Sequence, residues 1–147
     1  MKAVQINTVC GSGSTGKICI GISQVLNNNG VENYILYAKG YSKYPYARKC
    51  TERFPKLQAL RSRVLGNYGF NSKKTTERLI AELERIKPDI VHLHNLHGHN
   101  CDLSRLMDYF RTHAIKLVWT FHDCWAFTAY CPHFVMANCD KWKTGCH

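Results

Sequence analysis

Apolar residues along this chain recur with two different periods, and the switches between them outline a fold. A short apolar run, Val4 to Val9, reads as a strand that feeds directly into a glycine-rich turn. From Thr15 to Asn29 the apolar positions are Ile18, Ile22, Val25 and Leu26. They form a helical stripe, which predicts that this face packs, and Gly30 stands where a helix C-terminal cap belongs. Asn33 to Ala38 (NYILYA) is a second strand. Strand, tight turn, helix and strand make a βαβ unit, which predicts a parallel sheet with a right-handed crossover.

The pattern continues in the same way. Lys39 to Pro55 reads as loop, and Lys56 to Leu65 places Leu57, Leu60 and Val64 at helical spacing. Ser72 suits the cap of a helix running to about Ile86, with Leu79, Ile80, Leu83 and Ile86 on one face and Pro88 as its stop. Asp89 to Leu93 (DIVHL) is a third strand. Asp102 caps a helix carrying Leu103, Leu106, Met107 and Phe110, and Lys116 to Phe121 (KLVWTF) is a fourth strand. The alternation predicts one α/β domain over residues 1–147, a Rossmann-like, doubly wound parallel sheet. Ligands of such sheets bind beyond the carboxyl ends of the strands. The three most unusual stretches fall there: GSGSTGK after the first strand, HLHNLHGHN on and after the third, and HDCWAFT after the fourth. They are expected to form one composite site.

The first stretch comes within one residue of a P-loop. Gly11, Gly16 and Lys17 satisfy G-x-x-x-x-G-K, but Ile18 stands where a Ser or Thr would hold Mg²⁺. Asp123, at the end of LVWTFHD, is a candidate for the second metal-holding group of such an enzyme. Ile18, however, fits the apolar stripe of its helix, which predicts that it packs. Three readings follow: a P-loop-like nucleotide-binding protein, a glycine turn required only for its geometry, or a metal-free cradle of backbone amides for phosphate or sugar at a helix N-terminus.

Charge and cysteine usage refine this picture. Nine of the ten net positive charges fall between Lys39 and Lys74, where ten Lys or Arg face one acid, Glu52. This basic region is either a solvated surface or a docking surface for an anionic membrane or a phosphate-bearing partner. Tyr-rich residues 41–49 could stack bases, but no recognition motif accompanies them, so nucleic acid is not expected as a partner. The first residues, MKAVQINTVCGSGS, make a poor secretory signal, and no apolar run reaches the roughly 18 residues of a membrane span. The expectation is a cytoplasmic protein, at most peripheral on the inner face of the membrane. Four of the eight cysteines (Cys124, Cys131, Cys139 and Cys146) crowd into a Cys-rich C-terminal segment, residues 124–147. In a reducing compartment these suit metal ligation or burial better than disulfides. His92, His94, His97 and His99 also have the look of a metal cluster, although such residues more often pack or hydrogen-bond at a cleft edge.

VQINTVCGSGSTGKI, DIVHLHN and above all LVWTFHDCWAFTAYC with the later KWKTGC resemble the N-terminal domain of family 4 glycosyltransferases. The resemblance implies the N-terminal half of a GT-B fold, in which two Rossmann-like domains face across a cleft. It implies transfer of a sugar from a nucleotide-sugar donor to a glycan or lipid-linked acceptor, with no cofactor required for the chemistry. By the same resemblance Gly11, Gly13, Ser14, Thr15, Gly16 and Lys17 approach the donor pyrophosphate and the acceptor. His122 lies by the transferred sugar, Trp125 lines the cleft, and Asp123 is either the base for the acceptor hydroxyl or a cap. Cys131, Cys139 and Cys146, at C-x7-C-x6-C spacing, resemble three ligands of a structural zinc site. Two features depart from the pattern. Ala129 and Tyr130 follow AFT where many relatives have Gly. The chain also stops at His147, where relatives continue into the donor-binding C-terminal domain, so the 147 residues alone are not expected to transfer sugar.

Overall fold

A computed structural model of the chain describes residues 1–51, 72–97, 100–128, 131 and 134–144. Its centre is a five-stranded parallel sheet of β1 (Lys2–Val9), β2 (Glu32–Lys39), β3 (Ala47–Lys49), β4 (Ile90–Leu93) and β5 (Lys116–Trp119). The strand order is β3-β2-β1-β4-β5, so the direction of winding reverses between β1 and β4. That is the switch point at which open α/β sheets open a crevice. The doubly wound parallel sheet expected from the sequence is present. β3 was not expected: it lies inside the stretch read as loop and pairs Ile35 with Ala47. Three residues with partly exposed side chains leave no periodicity to read.

The helices are α1 (Gly13–Asn28), α2 (Lys73–Ile86), α3 (Leu103–Thr112) and the single turn α4 (Trp125–Thr128), with a 3₁₀ turn at Lys141–Lys143. Gly30 caps α1 as expected. It sits at φ +69°, its N–H donates to Asn27, and the N–H of Val31 reaches back to Leu26 at 2.9 Å, which is a Schellman arrangement. At α3, Asp102 Oδ1 accepts from the Arg105 N–H at 3.2 Å, the expected N-cap. Lys87, at φ 52°, closes α2 just before Pro88. The expected helix at 56–65 falls outside the described residues. Among the described residues no helix is long and apolar enough to cross a membrane.

Two cores flank the sheet. The larger joins Val4, Ile6, Val91 and Leu93 to Leu79 and Leu83 of α2 and Leu106 and Phe110 of α3. The smaller joins Cys10, Ile35 and Tyr37 to Cys19 of α1. The fully buried face of α1 is therefore Gly16, Cys19 and Ser23; of the stripe predicted to pack, Ile22 and Leu26 are half-buried and Ile18 and Val25 are exposed. Ile18 is 43% exposed and Val25 61%. Small residues win the inner face because α1 starts directly from the glycine turn and lies close on β1 and β2. A bulky side chain there has no room.

Gly16 shows how close that approach is. A Cβ placed on it would lie 3.0 Å from the Gly11 nitrogen and 3.2 Å from Val9 Cγ2, beside the Gly11 N–H donating to the Gly16 carbonyl at 3.1 Å. Gly16→Ala is therefore expected to destabilise the domain by about 1–3 kcal/mol. Gly21→Ala, in the same helix with nothing within 4 Å of its Cβ, is expected to stabilise it by about 0.5–1 kcal/mol. Paired urea titrations read the opposite signs.

Only the flanks of the basic region are described. There Arg48 pairs with Glu82 at 3.1 Å and lies 4.4 Å over the Tyr34 ring. Lys49 donates to the Gly40 carbonyl at 2.6 Å. These two cations face the protein's own groups.

Candidate functional site at the carboxyl edge of the sheet

Successive residues of a strand point to opposite faces. Val4 and Ile6 of β1 face α2 and α3, so Gln5 and Asn7 face the α1 side. In the structure both are buried, at 1% and 2% exposure, and each carries a defined set of hydrogen bonds. Gln5 pairs with His92 in register. His94, two residues further, therefore lies on the same side.

Four interactions tie the strand ends together there. The Gln5 side-chain amide donates to the Cys19 carbonyl in α1 at 3.0 Å. Gln5 Oε1 lies 3.1 Å from His94 Nε2, and His94 Nδ1 lies 2.9 Å from His122 Nε2. Trp119 Nε1–H donates to the His94 carbonyl at 3.0 Å, locking β5 against the end of β4. Burial pushes the His94 pKa down to about 3, with the neighbouring His92 and His122 adding to it. His92, whose Nε2 is 2.8 Å from Thr120 Oγ1, is lowered for the same first reason.

A second group sits beside the first. His97 Nε2 meets Asp123 Oδ2 at 2.9 Å, and Asp123 Oδ1 accepts from the Trp125 N–H at 3.0 Å. Asp123 is thus a cap for the first turn of α4 and the hydrogen-bond partner of His97. Its Oδ1 serves the expected cap, and its Oδ2 is held by His97. Trp125 is 4% exposed, 5.9 Å from the His97 ring, and its Nε1–H has no hydrogen-bond partner among the described residues.

Together these residues line a half-open pocket. It is lined chiefly by His94, Asn95, His97, His122, Asp123 and Trp125, with Trp119 to Phe121 completing one wall. Two of the three stretches expected to form one site therefore meet. The glycine turn contributes none of the described lining. It is joined to the pocket through the end of β1, where the Asn95 N–H donates to Asn7 Oδ1 at 3.2 Å and the Thr8 hydroxyl donates to the Asn95 carbonyl at 2.8 Å.

The turn itself has the conformation its glycines permit. Gly11 and Gly13 lie at φ +76° and +64°, a region that L-side chains avoid. Gly13, Ser14 and Thr15 form the first turn of α1, where backbone N–H groups lack intrahelical acceptors. Gly11, Gly13, Ser14 and Lys17 are exposed. The Thr15 hydroxyl is turned inward and accepts from Asn7 at 3.3 Å.

Cys131 and Cys139 are partly buried free thiols, and Cys146 lies outside the described residues, as does His99. Among the described residues no three His, Cys, Asp or Glu side chains gather as a metal site. That includes His92, His94 and His97: His92 is engaged with Thr120, His94 with Gln5 and His122, and His97 with Asp123. The residue that sequence reasoning missed is Gln5. A glutamine amid apolar strand residues is a weak signal, and its meaning depends on a histidine 89 positions away.

Residues 16–143 match the family described as Glycosyltransferase Family 4. Over 160 aligned positions the chain is 25% identical to WcaC of Escherichia coli (strain K12), a protein named for glycosyl transfer in colanic acid biosynthesis. The alignment covers 99% of this chain and 38% of that relative.

Proposed function

Because this chain belongs to glycosyltransferase family 4, we propose that it forms the acceptor-side wall of a sugar-transfer cleft. Sugar would pass from a nucleotide-sugar donor to a glycan or lipid-linked acceptor of the cell-surface polysaccharide kind; WcaC is named for glycosyl transfer in colanic acid biosynthesis. The observation that carries this reading is the pocket at the carboxyl edge of the sheet, where His122, Asp123 and Trp125 converge with His97. His122 lies by the transferred sugar. Trp125, whose buried Nε1–H has no partner among the described residues, offers it to an oxygen-rich ligand. Asp123 acts on the acceptor hydroxyl through His97, whose ring it holds. The exposed amides of Gly13 and Ser14, with Lys17, face the donor pyrophosphate, and Gly11, whose N–H is held by the Gly16 carbonyl, sets the turn that presents them. Thr15 and Gly16 shape that turn from inside.

The chain spans 38% of the length of WcaC, and transfer in this proposal needs a donor-binding domain in addition to these residues. The test is direct. Unlabelled oligosaccharide acceptors titrated into the isotope-labelled chain are expected to shift the resonances of His97, His122 and Trp125. His122→Ala is expected to weaken that binding about tenfold. Nucleotide-sugar turnover by the 147 residues alone would overturn the division of labour. Hydrolysis of ATP with Mg²⁺ would overturn the family role itself in favour of the P-loop reading.

A zinc ion held by Cys131, Cys139 and Cys146 would brace the C-terminal segment and enters no step of transfer. Elemental analysis of protein purified without added metal checks for it. The basic region, residues 39–74, is proposed to contact anionic lipid. Absence of sedimentation with anionic liposomes at low salt would remove that contact.

A further inference from the structure

We propose that Gln5, buried beneath the pocket, is a positioning residue that sets the tautomer of His122 through His94, so that Nδ1 is the nitrogen at which His122 gains or loses a proton. The argument starts from an atom whose role is not open to choice. The Cys19 carbonyl can only accept, so the Gln5 group 3.0 Å from it is the NH₂. The other end of the amide, 3.1 Å from His94 Nε2, is then the carbonyl oxygen, which can also only accept. His94 Nε2 must therefore carry a proton.

His94 is 1% exposed, and burial holds it neutral. A neutral imidazole has one N–H, so its Nδ1 is bare and accepts. The partner 2.9 Å away, His122 Nε2, is then the donor. The two rings are inclined by only 19°, which suits a hydrogen bond in the plane of both. The opposite arrangement, with the proton on His94 Nδ1, would set two lone pairs against each other at Gln5. Turning the Gln5 amide over to relieve that would face its oxygen toward the Cys19 carbonyl. Each alternative leaves a buried polar group unsatisfied, which costs on the order of 1–3 kcal/mol.

The chain of assignments runs from the α1 backbone to the pocket without a gap, and Gln5 is the side chain that links the Cys19 carbonyl to the histidines. The assignment stands on these hydrogen bonds. Its consequence for catalysis, a single proton-exchanging nitrogen beside the transferred sugar, rests on the function proposed above.

The test reads the protons themselves and no sugar chemistry. In the ¹⁵N-histidine-labelled full chain above neutral pH, a nitrogen–nitrogen coupling across the hydrogen bond is expected between His122 and His94. Its proton should reside on His122 Nε2, and His94 should show a protonated Nε2. Gln5→Met, close in shape but without the amide, is expected to convert His94 from one tautomer to a mixture and to weaken the coupling. Gln5→Glu keeps an acceptor toward His94 and is expected to keep Nε2 protonated. A proton found on His94 Nδ1, or a missing coupling, overturns the proposal even if Gln5→Met fails to fold. Wild-type nitrogen shifts in a folded Gln5→Met protein would remove Gln5 from it. Failure of acceptor binding, by contrast, would leave these signatures in place and count only against the sugar-transfer reading.

Discussion

Phe110→Ala is expected to destabilise the domain by about 3–5 kcal/mol. Among the described residues Phe110 is the largest of the fully buried side chains, 2% exposed on α3, and it belongs to the core that α2 and α3 form against Val4, Ile6, Val91 and Leu93. Its ring contacts Tyr109 edge-on, with centroids 5.8 Å apart. Truncation to Ala removes that apolar surface from the core and leaves a cavity that a rigid parallel sheet cannot collapse to fill. Most domains of this size are stable by only about 5–15 kcal/mol, so the loss takes a large share of the total. Urea denaturation should show a lower midpoint at an unchanged slope. Val135→Ala, at a side chain 70% exposed, is the matched control and should stay within about 0.5 kcal/mol of the parent.

Acidification from pH 7 to pH 5 is expected to cost a further stability increment of about 2 kcal/mol through His94 alone. The direction follows from its depressed folded-state pKa, about 3 against an ordinary 6.5. Between those values the unfolded chain binds a proton at this residue and the folded chain does not. Stability is therefore full above pH 6.5 and falls as the pH drops through the window toward 3. His92, lowered for the same reason, acts in the same direction. Urea titrations at the two pH values measure the total. His94→Asn removes the titrating group, and the difference between wild type and variant should shrink by about the stated amount as pH falls. A difference independent of pH would mean that His94 is hydrated and ionises freely in the folded state.

Much of this protein was legible in its sequence because the larger core uses simple periodicities. Leu79, Leu83 and Ile86 on α2, and Leu106 and Phe110 on α3, repeat at helical spacing and are buried where that spacing puts them. Gly30 and Asp102 mark helix ends through local chemistry that needs no tertiary partner. The stretch HDCWAFT carried enough specific residues to point to the family and to the pocket.

Periodicity failed for α1. Its stripe of Ile18, Ile22, Val25 and Leu26 is real, yet only Ile22 and Leu26 are half-buried, and the helix turns Gly16, Cys19 and Ser23 fully inward. Hydrophobicity says which residues would gain from burial. It does not say how closely a helix tethered by a tight turn must approach its strands, and at 3 Å from Gly11 only a glycine fits. β3 was invisible because a three-residue edge strand is made by its neighbour's hydrogen bonds.

The sequence by itself determined the parallel α/β order, the helix limits and the residue types gathered at the carboxyl ends of the strands. These follow from local propensity and from the need to bury one face of each element. Only the tertiary structure decided what those residues are to one another. Asp123 became both cap and partner of His97, and the glycine turn stood apart from the pocket wall. Gln5 became the hydrogen-bond partner of His94. The reason is that a hydrogen bond depends on distance and direction between groups up to 89 residues apart, and those are set by strand register and helix approach, which no local pattern encodes.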